Sequence, residues 1–254
     1  MSFRQYIALG DSMSIDLYPA LDAGEIDVAV ALEWDARAGS VAPLGAASLL
    51  HRNVDDRHPE FAGADLISRD PDIGFLNVAE DGATIGDVFG IQLPQIPESD
   101  DRTLLTLSVG GNDLLSAFAN RPKPALLREV VKDIAEAHEF LVDSLLRTRP
   151  NSVLLITTVY DPSDDTGRIP GIYDASGPLP LEFLHAFNDS VRKIGGSRRR
   201  TALADVYRHF LGHGVTAGAD SRWYWKRSWI EPNVPGASEI RRLWLDALEH
   251  MTEN

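Results

Sequence analysis

The sequence predicts a single α/β domain with a parallel sheet between two layers of helices. Three observations predict this fold class. Short, wholly apolar runs recur along the chain, amphipathic helical segments alternate with them, and 254 residues suffice for one such domain. No internal repeat or low-complexity linker divides the chain, so we expect one domain over residues 1–254.

Five short runs predict the strands of the sheet. Each is apolar throughout rather than alternating with polar residues, which is typical of parallel strands that are covered on both faces. The runs cover residues 6–9, 73–76, 104–109, 153–159 and 201–204.

Three segments have the apolar period of an amphipathic helix. They cover residues 125–149, 181–194 and 235–251. We expect Gly195 and Gly196 to end the second helix, because glycine favours helix C-termini. A weaker helix is expected after Gly82. The alternation of strands and helices predicts right-handed crossovers.

The segment at about 16–72 is too long for a simple crossover and has no strong period. Residues 28–32 predict an extra strand and residues 41–50 a short helix. We interpret the segment as an insertion beside the site that helps to shape a substrate pocket.

Composition and charge exclude several classes of function. The chain has 38 acidic and 24 basic residues and a net charge of −14, which disfavours binding to nucleic acid or to an anionic membrane. It has no cysteine, and therefore no disulfide, thiolate metal site or Cys nucleophile. The apolar runs are far shorter than the roughly 20 residues of a membrane-spanning helix. The N-terminus has no secretory signal pattern, so we expect a cytoplasmic protein. We also expect no cofactor.

Small and polar residues follow three of the predicted strands. Residues 10–14 read Gly-Asp-Ser-Met-Ser, Asn77 is followed by Gly82, and residues 110–113 read Gly-Gly-Asn-Asp. Ligands of open parallel sheets bind beyond the carboxyl ends of the strands, so these loops are expected to meet at one site.

These residue types suit acyl transfer. The hydroxyl of Ser12 becomes a nucleophile once a base accepts its proton. The tetrahedral intermediate then needs donors aimed at its oxyanion, which the backbone N–H groups of Ser12 and Gly82 and the side-chain amide of Asn112 could supply.

In this order, the three loops resemble the first three sequence blocks of the SGNH (GDSL-type) hydrolase family. The resemblance implies a flavodoxin-like α/β/α fold and serine-based hydrolysis of carboxylic esters. It also implies that Ser12 is the nucleophile and that Gly82 and Asn112 complete the oxyanion hole.

The last block of the family, Asp-x-x-His-Pro-Asn followed by Gly, is altered here. Residues 228–236 read Ser-Trp-Ile-Glu-Pro-Asn-Val-Pro-Gly, so the Pro-Asn…Gly frame matches. Ser228 stands where the acid is expected, and Glu231 stands where the histidine base is expected.

Three hypotheses account for this change. In the first, Glu231 is the base, with a pKa raised by burial. In the second, His213 is the base, oriented by Asp205 or Asp220. In the third, the protein has lost hydrolysis and binds a sugar or acyl ligand. His209 and His213 have a metal-ligand spacing, but without a third ligand we expect no metal site.

The substrate is predicted only as a class of small molecule. Short-chain acyl esters and acetylated carbohydrates both fit. Trp223, Tyr224, Trp225 and Trp229 precede Glu231 and could either stack on sugar rings or pack over the site. A nucleotide-binding function is disfavoured, because the chain has no Gly-x-Gly-x-x-Gly or Walker-type motif.

Overall fold

A computed structural model describes residues 2–26, 42–119, 123–172 and 177–253. Its centre is a five-stranded sheet with the order β2-β1-β3-β4-β5, in which all neighbouring strands are parallel. This is the flavodoxin-like order. The strands are β1 (Gln5–Gly10), β2 (Gly74–Asn77), β3 (Thr103–Ser108), β4 (Ser152–Thr157) and β5 (Thr201–Ala204).

Helices cover both faces of the sheet. In chain order, those described are α1 (Leu17–Ala23), α2 (Ala46–His51), α3 (Leu66–Arg69), α4 (Ile85–Asp87), α5 (Gly111–Ala119), α6 (Pro124–Thr148), α7 (Leu181–Ser197), α8 (Val206–Phe210) and α9 (Val234–Glu253). A π-helical turn, Val88–Gln92, continues α4.

Successive strand residues enter two different cores, which makes the domain three-layered. In β1, Ile7 and Leu9 belong to the core formed with α5, α6 and α7. Tyr6 and Ala8 belong to the core on the other face, formed with α2 and α9. Both faces of the strand are buried, which explains why its sequence is apolar throughout. The predicted α/β/α fold class is confirmed.

One helix differs from its prediction. Helix α7 continues through Gly195 and Gly196 to Ser197. A Cβ atom on Gly195 would lie 3.0 Å from Leu203 Cβ and 3.4 Å from Ile156 Cδ1. The prediction that these glycines end the helix was wrong, because Gly195 instead lets the helix approach the sheet closely.

The segment at about 16–72 connects β1 to β2 and contributes α1, α2 and α3. Helix α2 matches the short helix predicted over residues 41–50, apart from its bounds, and packs against α9. The strand predicted over residues 28–32 lies outside the described residues. None of the described helices is long and apolar enough to cross a membrane.

Candidate active site

The loop that carries Ser12 begins at a backbone position that only glycine can occupy. Gly10 has φ +122°, and a Cβ atom there would lie 1.9 Å from the carbonyl oxygen of Ser108. The chain therefore leaves β1 in close contact with the end of β3, and Asp11 N–H donates to Ser108 O at 2.9 Å. This contact lies at the point where the strand order reverses, the usual ligand-binding position of such sheets.

A buried glutamine holds the same glycine. Gln92 Oε1 accepts from Gly10 N–H at 2.9 Å, and Gln92 Nε2 donates to Gly10 O at 2.8 Å. Gln92 is fully buried and ends the π-helical turn. Both backbone groups of Gly10 are thus satisfied two residues before Ser12, which fixes the path of the loop.

Ser12 and its neighbour Asp11 are both buried. The Asp11 carboxylate accepts from Met13 N–H at 3.1 Å, which closes a tight turn around Ser12. Burial raises the pKa of Asp11 to about 7, and the negative charges of Asp113 and Asp81 add to this.

A β-hairpin that the sequence did not predict presents Glu231. Its strands are β6 (Tyr224–Trp225) and β7 (Ser228–Pro232), which are antiparallel. The hydroxyl of Tyr160, just after β4, donates to Ile230 O at 2.5 Å. The residue before Glu231 is therefore tied to the end of the sheet that also carries Ser12.

The Pro-Asn…Gly frame fastens the other end of the hairpin. Asn233 Nδ2 donates to Arg222 O at 2.8 Å, and Asn233 Oδ1 accepts from Gly236 N–H at 2.9 Å. A Cβ atom on Gly236 would lie 2.1 Å from Trp223 O, so this position requires glycine. The frame thus joins the hairpin to the first turn of α9 through backbone contacts.

Glu231 lies in the same pocket as Ser12, and its side chain is buried. Burial raises the pKa of Glu231 to about 8. The hydrogen bond with the Ser12 hydroxyl lowers this pKa, whereas the negative charges of Asp81 and Asp11 raise it further. Glu231 Oε2 is buried without a hydrogen-bond partner among the described residues.

The pocket beside these residues is small and mainly apolar. Its cavity volume is about 70 Å³, and because one water needs about 10–15 Å³ on this measure, it has room for about five water-sized atoms. Ser12, Asn112 and Glu231 provide polar groups at its wall. The apolar wall is formed by Leu114, Leu115, Phe118, Ile169, Leu179, Leu181, Leu184 and Ile230, among others.

The two remaining oxyanion candidates lie in loops that contact each other. Asn112 lines the pocket, and its Nδ2 donates to Ala83 O at 3.0 Å, which leaves one amide hydrogen for a ligand. Gly82 precedes Ala83 at φ +70° and is exposed; it does not line the pocket. Ile85 N–H donates to Asp113 at 3.1 Å and joins the loops a second time.

His213 lies outside the pocket that contains Ser12 and Glu231. Its ring stacks on Trp223, with centroids 3.5 Å apart and planes at 1°, and its Nδ1 lies 2.7 Å from Ser221 O. Asp205, one of its two proposed partners, hydrogen-bonds Arg192 instead, at 2.9 Å.

The aromatic residues before Glu231 mainly serve packing. Tyr224 and Trp225 are buried, and Trp223 contacts both His209 and His213. Trp229 lies under the guanidinium of Arg222, 4.4 Å from its ring centroid. No group of three or more possible metal ligands is present among the described residues.

Comparison with solved structures identifies the fold. An extracellular lipase from Streptomyces rimosus aligns with a TM-score of 0.55 at 19% identity, over 96% of this chain and 99% of the other. An acetylxylan esterase from Geobacillus stearothermophilus aligns with a TM-score of 0.59 at 12% identity, over 97% and 94%. Phospholipase A1 from Streptomyces albidoflavus aligns with a TM-score of 0.53 at 17% identity, over 98% and 100%.

The chain has the SGNH hydrolase fold. At these identities the likeness shows the fold alone. No protein-family model matches the chain, and no curated protein does.

Within the SGNH hydrolase fold, sequence reasoning missed three residues that act on the site. Gln92 hydrogen-bonds the backbone of Gly10, and Tyr160 hydrogen-bonds the backbone of Ile230, next to Glu231. The charge of Asp81 helps to raise the pKa of both Asp11 and Glu231. A lone glutamine or tyrosine gives no signal in a single sequence. Asp81 directly precedes Gly82 and could have been considered on that ground.

Proposed function

We propose that the protein is a serine hydrolase of carboxylic esters, in which Ser12 is the nucleophile and Glu231 is the base. The observation that carries the proposal is the buried carboxyl of Glu231, which lies in one pocket with Ser12 and interacts with its hydroxyl. A base must reach the proton it removes, and of the two candidate bases Glu231 is the one that lines the pocket of Ser12.

The reaction then proceeds in two steps. Ionised Glu231 accepts the Ser12 proton as Oγ attacks the ester carbonyl, and the Ser12 N–H and the Asn112 amide, which lie at the same pocket, stabilise the oxyanion. Collapse of the intermediate breaks the bond to the alcohol, which leaves with the proton held by Glu231. Water repeats the attack on the acyl-enzyme, again with Glu231 as base, and releases the acid and free Ser12.

The pocket supports a short acyl group. Room for about five water-sized atoms suits an acetyl to butyryl chain against the apolar wall. An acetylated carbohydrate would place its acetyl group there and its sugar outside. We expect a small-molecule partner in the cytoplasm and no nucleic acid.

Covalent labelling tests the nucleophile and its base together. A fluorophosphonate probe should label Ser12 in the wild-type protein and should fail to label Ser12→Ala. Glu231→Gln should lower both labelling and cleavage of a p-nitrophenyl butyrate ester by about 10²–10⁴-fold. The folded state of each variant is checked by circular dichroism.

His213→Gln is the matched comparison for the second hypothesis. It should cleave the ester at nearly the wild-type rate, because its ring is stacked on Trp223 outside the pocket. Loss of activity in His213→Gln with full activity in Glu231→Gln would show that the base is assigned to the wrong residue.

The second candidate function is ligand binding without hydrolysis. It is favoured by one observation: a pKa of about 8 leaves Glu231 mostly protonated at neutral pH. A protein that stays unlabelled at pH 9 while folded, and that binds short acids or acetylated sugars, would support this function over hydrolysis.

A further inference from the structure

The surroundings of Ser12 carry charges of one sign. Asp11, Asp161 and Glu231 line the pocket, and no Lys, Arg or His is among the described residues that line it. Asp81 lies outside the pocket but acts electrostatically on both Asp11 and Glu231. To the extent that these carboxyls are ionised, a ligand that approaches Ser12 therefore meets a negative field, and no described basic side chain at the pocket neutralises it.

Glu231 adds an independent observation. Its side chain is 94% buried, since its exposed fraction is 6%, yet Oε2 has no hydrogen-bond partner among the described residues. A buried carboxyl oxygen without a partner is costly, and native structures normally satisfy such groups. A positive charge beside this carboxyl would offset that cost without donating a hydrogen bond.

We propose that the ester accepted by this site carries a positive charge in its alcohol part, which lies beside Glu231 and Asp81 while the acyl chain enters the apolar pocket. The inference rests on the proposed function and names its substrate class. The alcohol of an ester bound at Ser12 with its acyl chain in the pocket extends towards the mouth. Tyr18 relates to both carboxyls: its hydroxyl donates to Asp81 at 3.0 Å, and burial together with the charge of Glu231 raises the pKa of its phenol.

A cation at this position would also activate the base. An opposite charge a few ångströms from a carboxyl lowers its pKa. The groups that act on Glu231 are Ser12, Asp11 and Asp81, and the phenols of Tyr18 and Tyr160 lie close enough for their pKa values to be raised by its charge. None of these groups is a cation, so a cationic substrate would supply the only opposite charge among them.

A matched pair of esters tests the proposal. Butyrylcholine and 3,3-dimethylbutyl butyrate have the same shape and differ in one positive charge. At pH 7 and low salt, kcat/KM for the cationic ester should exceed that for the neutral ester by about ten-fold or more, and the ratio should fall as salt screens the charges. The half-maximal pH of kcat should be lower for the cationic ester.

Asp81→Asn should reduce the ratio of the two kcat/KM values several-fold, because it removes a charge near the mouth. Asp246→Asn makes the same change of net charge at an exposed position of α9 and should leave the ratio unchanged. Equal kcat/KM values for the two esters, or a preference for the neutral one, would overturn the proposal while leaving ester hydrolysis intact.

A binding measurement separates this inference from the proposed function. Choline should bind to the wild-type protein in calorimetry more tightly than 3,3-dimethylbutanol, and Asp81→Asn should weaken choline binding. If neither ester is cleaved but choline binds in this way, hydrolysis is wrong and the cation site stands. If choline does not bind and is not preferred as an ester, the cation site is wrong.

Discussion

At the scale of single residues, the proposed mechanism requires a carboxyl to act as the base in place of an imidazole. An ordinary glutamate is a weak proton acceptor, because its pKa lies about 2 units below that of histidine. Burial raises the pKa of Glu231 to about 8, so the ionised form is a stronger base than an exposed glutamate. The same shift makes the ionised form scarce at neutral pH.

The pH dependence of activity follows from this shift. The base must be ionised, so kcat/KM for a neutral ester should rise with pH and reach half its maximum near pH 8. At pH 6 it should be about 1% of the plateau. Initial rates across pH 5–10 measure the profile. A half-maximum near 6.5 would instead indicate a histidine base.

Glu231 should also make the folded state less stable at alkaline pH. Its folded pKa lies above its ordinary value of 4.5, so the folded protein holds this proton more tightly than the unfolded chain. The contribution of the protonated carboxyl is present below about pH 4.5 and is lost as pH rises to about 8. Glu231→Gln should therefore be more stable than wild type at pH 9, by about 5 kcal/mol, and nearly equal at pH 4.

Thermal unfolding measures this difference, which corresponds to a rise in Tm on the order of 10–20 °C at pH 9. Glu182→Gln, at an exposed position of α7, is the control and should show no pH-dependent gain. A Glu231→Gln variant whose Tm follows that of wild type at every pH would show that the carboxyl is not held in a desolvated site.

At the scale of secondary structure, the π-helical turn that ends in Gln92 positions the nucleophile loop. Gln92→Leu keeps a similar volume but leaves the N–H of Gly10 unsatisfied in the interior, while the Gly10 carbonyl keeps its bond from Glu80 N–H at 3.0 Å. Unfolding free energy should fall by about 1–3 kcal/mol, the cost of one buried unpaired group. Ester cleavage should fall as well, mainly in kcat, because Ser12 loses its fixed position.

Chemical denaturation and kinetics on the same sample check this prediction. Gln95→Leu, three residues further along at an exposed position, provides the matched control. Loss of stability without loss of kcat in Gln92→Leu would show that the glutamine supports the fold and has no role in positioning Ser12.

The regular elements were largely predictable, because burial imposes a pattern on them. The predicted runs at 104–109 and 153–159 overlap β3 (Thr103–Ser108) and β4 (Ser152–Thr157), both buried along their whole length. The hairpin of β6 and β7 was not predicted. Strand β6 has only two residues, β7 is partly exposed, and the two strands pair with each other, so no apolar run marks them.

The site was predictable in part. The loop of Ser12 could be found because Gly10 is required by its contact with Ser108 O, a backbone constraint that leaves a trace in the sequence. The environment of Glu231 could be given only as a hypothesis of burial, because the residues that act on it or hold its neighbour, Ser12, Tyr160 and Asp81, come from three separate loops. A single sequence contains no record of such distances.

At the scale of the whole molecule, the loss of folding stability at acid pH depends on a residue in the core as well as on residues at the surface. His138 lies in α6, fully buried against Phe187, and neither ring nitrogen has a hydrogen-bond partner within the part of the chain that the structure describes. Burial lowers the pKa of His138 to about 4. The unfolded chain therefore binds this proton below about pH 6.5 while the folded protein does not.

Stability should be lost through this group as pH falls from about 6.5 to 4. The loss amounts to about 2 kcal/mol at pH 5. His138→Leu should remove this part of the pH dependence, whereas His250→Leu, at an exposed position near the end of α9, should retain it. Unfolding free energies at pH 5 and pH 7 test the prediction, and equal slopes for both variants would contradict it.

The arrangement of three layers also decides where chemistry is possible. The sheet brings the ends of β1 and β3 together where the strand order reverses, and the hairpin before α9 adds Glu231 from the far end of the chain. The residues in one pocket are thus separated by more than 200 positions in sequence. The site therefore forms only when the whole domain is folded.

The anchoring of the hairpin by Asn233 and Gly236 has an evolutionary consequence. These contacts involve backbone atoms and the Asn233 side chain, and none involves the side chain at position 231. The scaffold can therefore be inherited while the proton acceptor it carries is exchanged. In proteins that share this frame, the residue at position 231 can therefore change by substitution of a single residue while the fold around it is retained.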